Sequence, residues 1–297
     1  MTAGCRVFDI RDPGGPDPIR TFVMYPSDAP ETARDFGPYP VQAAWDGDVA
    51  DGVFPLVVIS HGTGGSPLTH RNLGAHLARN GFLVALVQHP RNNRENDELA
   101  RTAAILENRP RQVSAVIDWL FAGPSSARLV PETAFVIGHS LGGYTALAVA
   151  GGRPTAFAIE TADHQPHPVP VRVDDRVKGI VLLAPATAWY MGRGALADVR
   201  VPILMLTGDQ DHHAPLWHGK IVVDGIADRS LLDHKVVHNA NHFAFLSPFP
   251  EAMRGPGFPP SVDVPGFDRE RFQNEEMYPE ILAFLRRAAE STSAASI

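Results

Sequence analysis

The sequence predicts an α/β protein with a mostly parallel sheet, and three observations predict it. Short apolar runs rich in branched residues recur at residues 55–60, 82–88, 134–138, 179–184, 202–207 and 235–238. Each is too short for a buried helix and is bounded by Gly, Pro or Asn, as a strand covered on both faces would be. Segments of helical periodicity separate them, and that alternation is what parallel strands joined by crossover helices require. The third observation is bulk: 297 residues, 44% hydrophobic and 20% charged, suffice to bury a large core.

Taken in order, residues 6–10 and 20–25 flank the turn-rich Asp12-Pro13-Gly14-Gly15-Pro16 and predict an antiparallel hairpin on the edge of the sheet. After the first buried strand, Ser66-Pro67 caps and starts a helix with Leu73 and Leu77 on one face, and Asn80-Gly81 ends it. A second helix is expected over about 109–121, where Val113, Val116, Ile117 and Leu120 fall at helical spacing. A third starts just after Ser140. The last covers about 274–289, with Ile281, Leu282 and Leu285 inward. Three segments read as excursions from this scaffold. Residues 27–52 are polar and turn-rich, 153–175 interrupt the rhythm, and 247–267 contain six prolines. No repeat, charge block or linker divides the chain, so a single domain over 1–297 is expected.

Composition narrows the function. With 26 basic and 33 acidic side chains the net charge is −7, which disfavours nucleic acid and anionic membrane surfaces as partners. The run Phe82-Leu83-Val84-Ala85-Leu86-Val87 is far too short to span a bilayer, and the first residues lack the apolar stretch of a secretory signal. A lone Cys5 makes no internal disulfide. The expectation is a cytoplasmic protein without stable membrane association, a monomer or homodimer.

One motif carries chemistry. Gly138-His139-Ser140-Leu141-Gly142 fits G-x-S-x-G between the strand Ala134-Phe135-Val136-Ile137 and the helical stretch from Gly143. Strand, tight turn and helix in that order form a nucleophile elbow, with glycines where the backbone is crowded and helix amides beside the serine. A serine alcohol needs a base, and the base needs an orienting carboxylate. Both follow at strand ends. Gly208-Asp209-Gln210-Asp211 offers two carboxylates, of which Asp211 is preferred because a turn through Gly208 brings it back to the site. Asp209 reads as an Asx-turn residue. Asn239-Ala240-Asn241-His242 offers the base. His242 lies in the loop, while His238 closes the strand as a packed or surface histidine. His212 and His213 read as solvated loop residues; no second cluster has ligand spacing, so no metal is expected. An oxyanion hole needs two amides. Leu141, after the nucleophile, supplies one, and Thr63 in Ser60-His61-Gly62-Thr63-Gly64-Gly65 is the candidate for the other.

With these motifs the chain resembles the α/β-hydrolase superfamily over nearly its whole length. Within it, the chain is similar to dienelactone-hydrolase-like and platelet-activating-factor-acetylhydrolase-like serine hydrolases. The resemblance rests on Val23-Met24-Tyr25-Pro26, Ser60–Gly65, Gly138–Gly143, Gly208–Asp211 and His242-Phe243. It implies an α/β-hydrolase fold with helices on both faces. It also implies Ser140, Asp211 and His242 as triad, with Thr63 and Leu141 as oxyanion donors. Dienelactone hydrolases use cysteine as nucleophile whereas this chain has serine, which favours general ester hydrolysis.

About 17 residues separate the strands at 179–184 and 202–207, too few for a large cap domain. Smaller loops therefore set specificity. Gly64, His139, Trp189 and Tyr190 are candidate substrate-binding residues, and the proline-rich 247–267 reads either as a rim or as an inert surface loop. The expected activity is hydrolysis of small-molecule esters of short acyl chains, through an acyl-enzyme and without a cofactor. An amidase or peptidase uses the same triad, and a non-catalytic ligand-binding protein of this fold is the remaining alternative.

Overall fold

The computed structural model describes residues 1–123 and 125–295. Twelve strands run in chain order as β1 (Thr2–Ile10), β2 (Ile19–Ser27), β3 (Thr32–Phe36), β4 (Tyr39–Trp45), β5 (Phe54–Ser60), β6 (Leu83–Val87), β7 (Leu129–His139), β8 (Thr155–Ala156), β9 (His167–Pro168), β10 (Val177–Leu183), β11 (Ile203–Gly208) and β12 (Leu232–Val237). The helices are α1 (Arg71–Arg79), α2 (Ala103–Ala122), α3 (Leu141–Val149), α4 (Leu216–Gly225), α5 (Arg269–Phe272) and α6 (Tyr278–Ala295). Ten strands form one sheet in the order β12-β11-β10-β7-β5-β6-β2-β1-β4-β3, parallel from β12 through β6.

Apolar residues cover both faces of β5, β6, β10, β11 and the C-terminal half of β7, which is why these strands read as continuous apolar runs, whereas the edge strand β12 is partly exposed. On one face Leu106, Val113, Val116 and Ile117 of α2, with Leu147 of α3 and Val222 of α4, pack on Leu56, Val58, Val136 and Ile180. On the other, Leu73 and Leu77 of α1 and Ile281 and Leu285 of α6 pack on Val57, Ile59, Phe135 and Val181. The chain leaves β5 for β6 on one side and returns to β7 on the other. That reversal opens a crevice beyond the C-terminal ends of β5 and β7, the place where open α/β sheets bind ligands.

Four expectations change. The N-terminal hairpin is inside the sheet, because β4 pairs parallel with β1 and β3 forms the edge. Residues 27–52 are thus partly scaffold: Tyr39, Val41 and Ala43 are buried while Pro40 and Gln42 between them face out. The turn-rich composition of 27–52 hid a short amphipathic strand. The second helix begins at Ala103 and runs through Pro110. A proline there lacks the N–H that Leu106 C=O would accept, and the Tyr144 hydroxyl donates to that carbonyl instead at 2.9 Å. Finally, α4 has no counterpart among the predicted helices, and the last helical run begins at Arg269 and includes one π turn over Gln273–Met277. The segment 153–175 forms only the small β8–β9 ribbon and a 3-10 turn.

Candidate active site

Ser140 caps the N-terminus of α3 directly after β7, with φ 54° and ψ −119°. A side chain at positive φ is strained, and three hydrogen bonds hold it there. Its N–H donates to Leu183 O at 3.0 Å, and its C=O accepts from Gly143 and Ala186 at 2.8 and 2.9 Å. The glycines of the motif are set by close approach. A Cβ at Gly138 would lie 2.0 Å from Gly142 O, and one at Gly142 would lie 1.9 Å from Ser60 O. The β5 loop therefore abuts the elbow, and a Cβ at Gly62 would stand 3.0 Å from Ser140 Cβ.

The two side chains expected as acid and base lie against each other. His242 Nδ1 lies 2.7 Å from Asp211 Oδ2, with the aspartate side chain at 0% exposure and the histidine at 6%. The other oxygen, Oδ1, accepts from the His213 and Ala214 amides at 2.8 and 2.7 Å. Burial pushes the Asp211 pKa up. The His242 bond and charge, with the two amides, outweigh burial and hold it below the usual carboxylate value. Asp209 differs from its expected role. Its Oδ1 accepts from Asn239 N–H at 2.7 Å and its Oδ2 meets His238 Nδ1 at 2.8 Å, so it ties two strand-end loops together. The local Asx-type bonding belongs to Asp211. His238 is a surface residue, and the His242 loop is held by Gln210 N–H on Ala240 O at 3.0 Å.

Histidines crowd this centre. His139 is a correction to the substrate-binding set: it is buried, and its Nε2 donates to His242 O at 2.9 Å. Burial first, then neighbouring His242, depresses its pKa far below 6.5, so it is neutral and positions the His242 backbone. His213 is exposed but lies with its ring 5.1 Å from that of His242. His218, unremarked in the sequence, accepts from Thr187 N–H at 2.9 Å through Nδ1 and so pins the loop after β10 to α4. Burial takes its pKa down to about 4, Asp211 pulling it up and His242 pushing it down. No local sequence pattern marks such a contact between loops.

Tyr190 is a second correction. It is 2% exposed, stacks on Tyr144 and donates to Tyr144 O at 2.8 Å, so it belongs to the core. Trp189 is half-buried against Tyr144 and Phe157, and its Nε1 donates to the Glu160 carboxylate at 2.9 Å. Gly64 takes φ +57° in a turn closed by Gly65 N–H on Gly62 O at 3.2 Å; Thr63 is exposed at its tip and Leu141 opens α3. The proline-rich 247–267 is anchored to the scaffold by side chains outside it. Asn241 and Asn239 side chains donate to Val262 O and Pro265 O at 2.9 and 3.0 Å, and Arg71 to Pro248 O at 2.6 Å. Among the described residues no group of three His, Cys, Asp or Glu could hold a metal ion, and no helix is long and apolar enough to cross a membrane.

A serine at a strained strand-to-helix turn, on a parallel sheet covered on both faces, gives the chain the α/β-hydrolase fold. The family profile "platelet-activating factor acetylhydrolase, isoform II" matches residues 33–121. A cutinase of Thermobifida alba is 25% identical over 195 residues, 64% of this chain and 54% of that protein. The bis(hydroxyethyl) terephthalate hydrolase of Streptomyces coelicolor is 28% identical over 201 residues, 66% of this chain and 52% of that one. The chain thus spans about half the length of these relatives. A dienelactone hydrolase from Anabaena variabilis superposes with a TM-score of 0.51 at 16% identity, over 80% of this chain and 88% of that one. A predicted CIB-like hydrolase from Thermoplasma acidophilum gives 0.56 at 14% identity, over 96% and 99%. These two likenesses show the fold.

Proposed function

We propose that the chain is a serine hydrolase that cleaves carboxylic esters of small molecules, with short acyl groups. The observation that carries this reading is the buried Asp211–His242 pair at 2.7 Å, tied through His139 Nε2 on His242 O at 2.9 Å to the elbow where the next residue, Ser140, is held at positive φ between a strand end and a helix N-terminus. The names of the relatives, a cutinase and a terephthalate-ester hydrolase, and of the matching family profile, a platelet-activating factor acetylhydrolase, support ester substrates.

In this reading Ser140 Oγ attacks the acyl carbonyl and passes its proton to His242 Nε2, the ring nitrogen that Asp211 leaves free. Asp211 keeps the imidazole in that tautomer and stabilises the imidazolium. The amides of Leu141 and Thr63 receive the negative charge that develops on the carbonyl oxygen. His242 then protonates the departing alkoxide, leaving an acyl group on Ser140. Water repeats the sequence: it gives a proton to His242, attacks the acyl carbon, and releases the acid with Ser140 reprotonated. Nineteen residues between Leu183 and Ile203 leave the mouth without a cap domain, which suits compact and accessible esters.

The test is hydrolysis of p-nitrophenyl esters from acetate to decanoate, with Ser140→Ala alongside. The expected result is a maximum at short chains and loss of nearly all activity in the variant. Activity that survives Ser140→Ala would sink the assignment, and a maximum at decanoate would overturn the short-acyl reading.

A further inference from the structure

The proposed oxyanion loop is backed by a buried cation that the reaction scheme does not use. Arg109, on α2, is 1% exposed and is among the largest fully buried side chains. Among the described residues no carboxylate lies within ion-pair distance of it. Its donors go to backbone and amide oxygens instead: Nη1 to His61 O at 2.7 Å, Nη2 to Gly62 O at 3.1 Å and Nε to Asn92 Oδ1 at 2.7 Å. Asn92 is itself fixed, donating to Asp97 Oδ1 at 2.6 Å. A guanidinium taken out of water carries a heavy desolvation cost unless its donors are matched, and here the partners are two carbonyls of the loop after β5 and the Asn92 side-chain amide. A burial this costly calls for a local reason.

Peptide geometry supplies one. Across a trans peptide the C=O of one residue and the N–H of the next point in opposite directions. With the carbonyls of His61 and Gly62 both drawn to the guanidinium, the amides of Gly62 and Thr63 face away from it. Two further donors reinforce the second carbonyl. His89 N–H donates to His61 Nε2 at 3.3 Å, which leaves the His61 proton on Nδ1, and Nδ1–H donates to Gly62 O at 2.7 Å. Gly65 N–H reaches the same oxygen at 3.2 Å. Three donors on one carbonyl remove the peptide's freedom to flip. The loop held in this way is the one that abuts Ser140, where a Cβ at Gly62 would stand 3.0 Å from the serine Cβ.

We infer that Arg109 is a positioning residue for ester hydrolysis: its guanidinium locks the Gly62–Thr63 peptide so that the Thr63 amide faces the developing oxyanion. The inference rests on the serine-hydrolase reading. A flexible loop would have to organise this donor at the moment of reaction, whereas a clamped one holds it ready. Lysine at this position keeps the charge but has neither the fork nor the reach to hold both carbonyls and Asn92 at once.

The experiment compares wild type with Arg109→Lys and Arg109→Met, each checked for folding by circular dichroism and thermal midpoint. The readouts are kcat and KM on p-nitrophenyl butyrate and the inhibition constant of a 1,1,1-trifluoro-2-alkanone. Attack of Ser140 on that ketone forms a hemiketal whose oxyanion needs the same donors. The expected result is a fall in kcat of roughly 10- to 100-fold, below the full loss of one oxyanion donor. KM should stay within about 3-fold, as for an interaction made only in the transition state, and the inhibition constant should rise by the same factor as kcat/KM falls. A folded Arg109→Lys with unchanged kcat and inhibition overturns the clamp. So does a loss of thermal stability without those two changes. Asn92→Ala removes one guanidinium partner and should give the same pattern at smaller amplitude, which carries the test should neither Arg109 variant fold. Ser140→Ala run in parallel separates the two claims. If it stays active the hydrolase reading of this site fails, whereas an inactive Ser140→Ala beside an unaffected Arg109→Lys rejects the clamp alone.

Discussion

At the scale of single residues, the two carboxylates after β11 have different jobs, although two positions apart they look interchangeable. Asp211 spends one oxygen on its own loop and the other on His242, so its charge and the imidazole tautomer are coupled. Replacing it by Asn keeps the loop bonds to Oδ1 but presents an amide to Nδ1. The expected result is a fall in kcat of roughly 10⁴-fold, the size such a substitution has in a serine triad. Asp209→Asn disturbs only the exposed contact to His238 and the bond to Asn239, and kcat on a p-nitrophenyl ester should stay within about 10-fold. Equal losses in the two variants would contradict the assignment of the acid. The choice of Asp211 and His242 was legible from their order and their place after strand ends. The roles of His139 and His218 were not, because each acts on a backbone atom far away in the chain.

At the scale of elements, the elbow is a packing device as well as the proposed seat of the nucleophile. Gly142→Ala would drive a methyl into Ser60 O, a backbone atom that cannot move without displacing the β5 loop. A loss of about 3 kcal/mol or more is expected from the thermal midpoint, whereas Gly192→Ala, with open space around it, should be nearly neutral. The β3–β4 hairpin gives a second check. Val41 is 2% exposed in the core that includes α1, so Val41→Ala should cost about 2 kcal/mol in urea unfolding. Thr32→Ala on the exposed edge strand should cost under about 0.5 kcal/mol. A neutral Val41→Ala would return residues 27–52 to the status of a loop. Composition hid this hairpin because β4 is short, contains Pro40 and Gln42 and sits among turn residues, and its apolar side chains matter only when the rest of the fold covers them.

At the scale of the whole molecule, buried neutral histidines make stability depend on pH. His70 is 1% exposed, neither ring nitrogen has a hydrogen-bond partner among the described residues, and burial lowers its pKa to about 4 from 6.5. The unfolded chain takes up a proton below pH 6.5 that the folded chain refuses until about pH 4. Stability from this group is therefore complete above pH 6.5 and declines as the pH falls to 4, by about 3 kcal/mol at 1.36 kcal/mol per pH unit. His70→Leu removes both orphan nitrogens and should flatten that limb of the stability–pH curve, measured by urea unfolding between pH 7 and 4. An unchanged slope would mean that His70 is hydrated or paired in solution.

The sequence alone determined the α/β layering, the strand-to-helix turn that carries Ser140, and the strand-end loops that carry Asp211 and His242. Those properties rest on local signals: apolar runs, turn glycines, and the fixed place of loops after strand ends. Only the tertiary structure decided that β4 and β3 extend the sheet beyond the N-terminal hairpin, that α2 continues through Pro110, and that His139 and Tyr190 face inward. Each depends on a partner remote in sequence: β1 beside β4, the Tyr144 hydroxyl on Leu106 O, His242 O on His139. The same holds for Arg109, which the helical pattern places on α2 without saying what it meets. A long cation is at home on almost any helix. What made this one notable was the closing of the β5 loop over it, which turned a surface-type residue into the buried partner of two carbonyls.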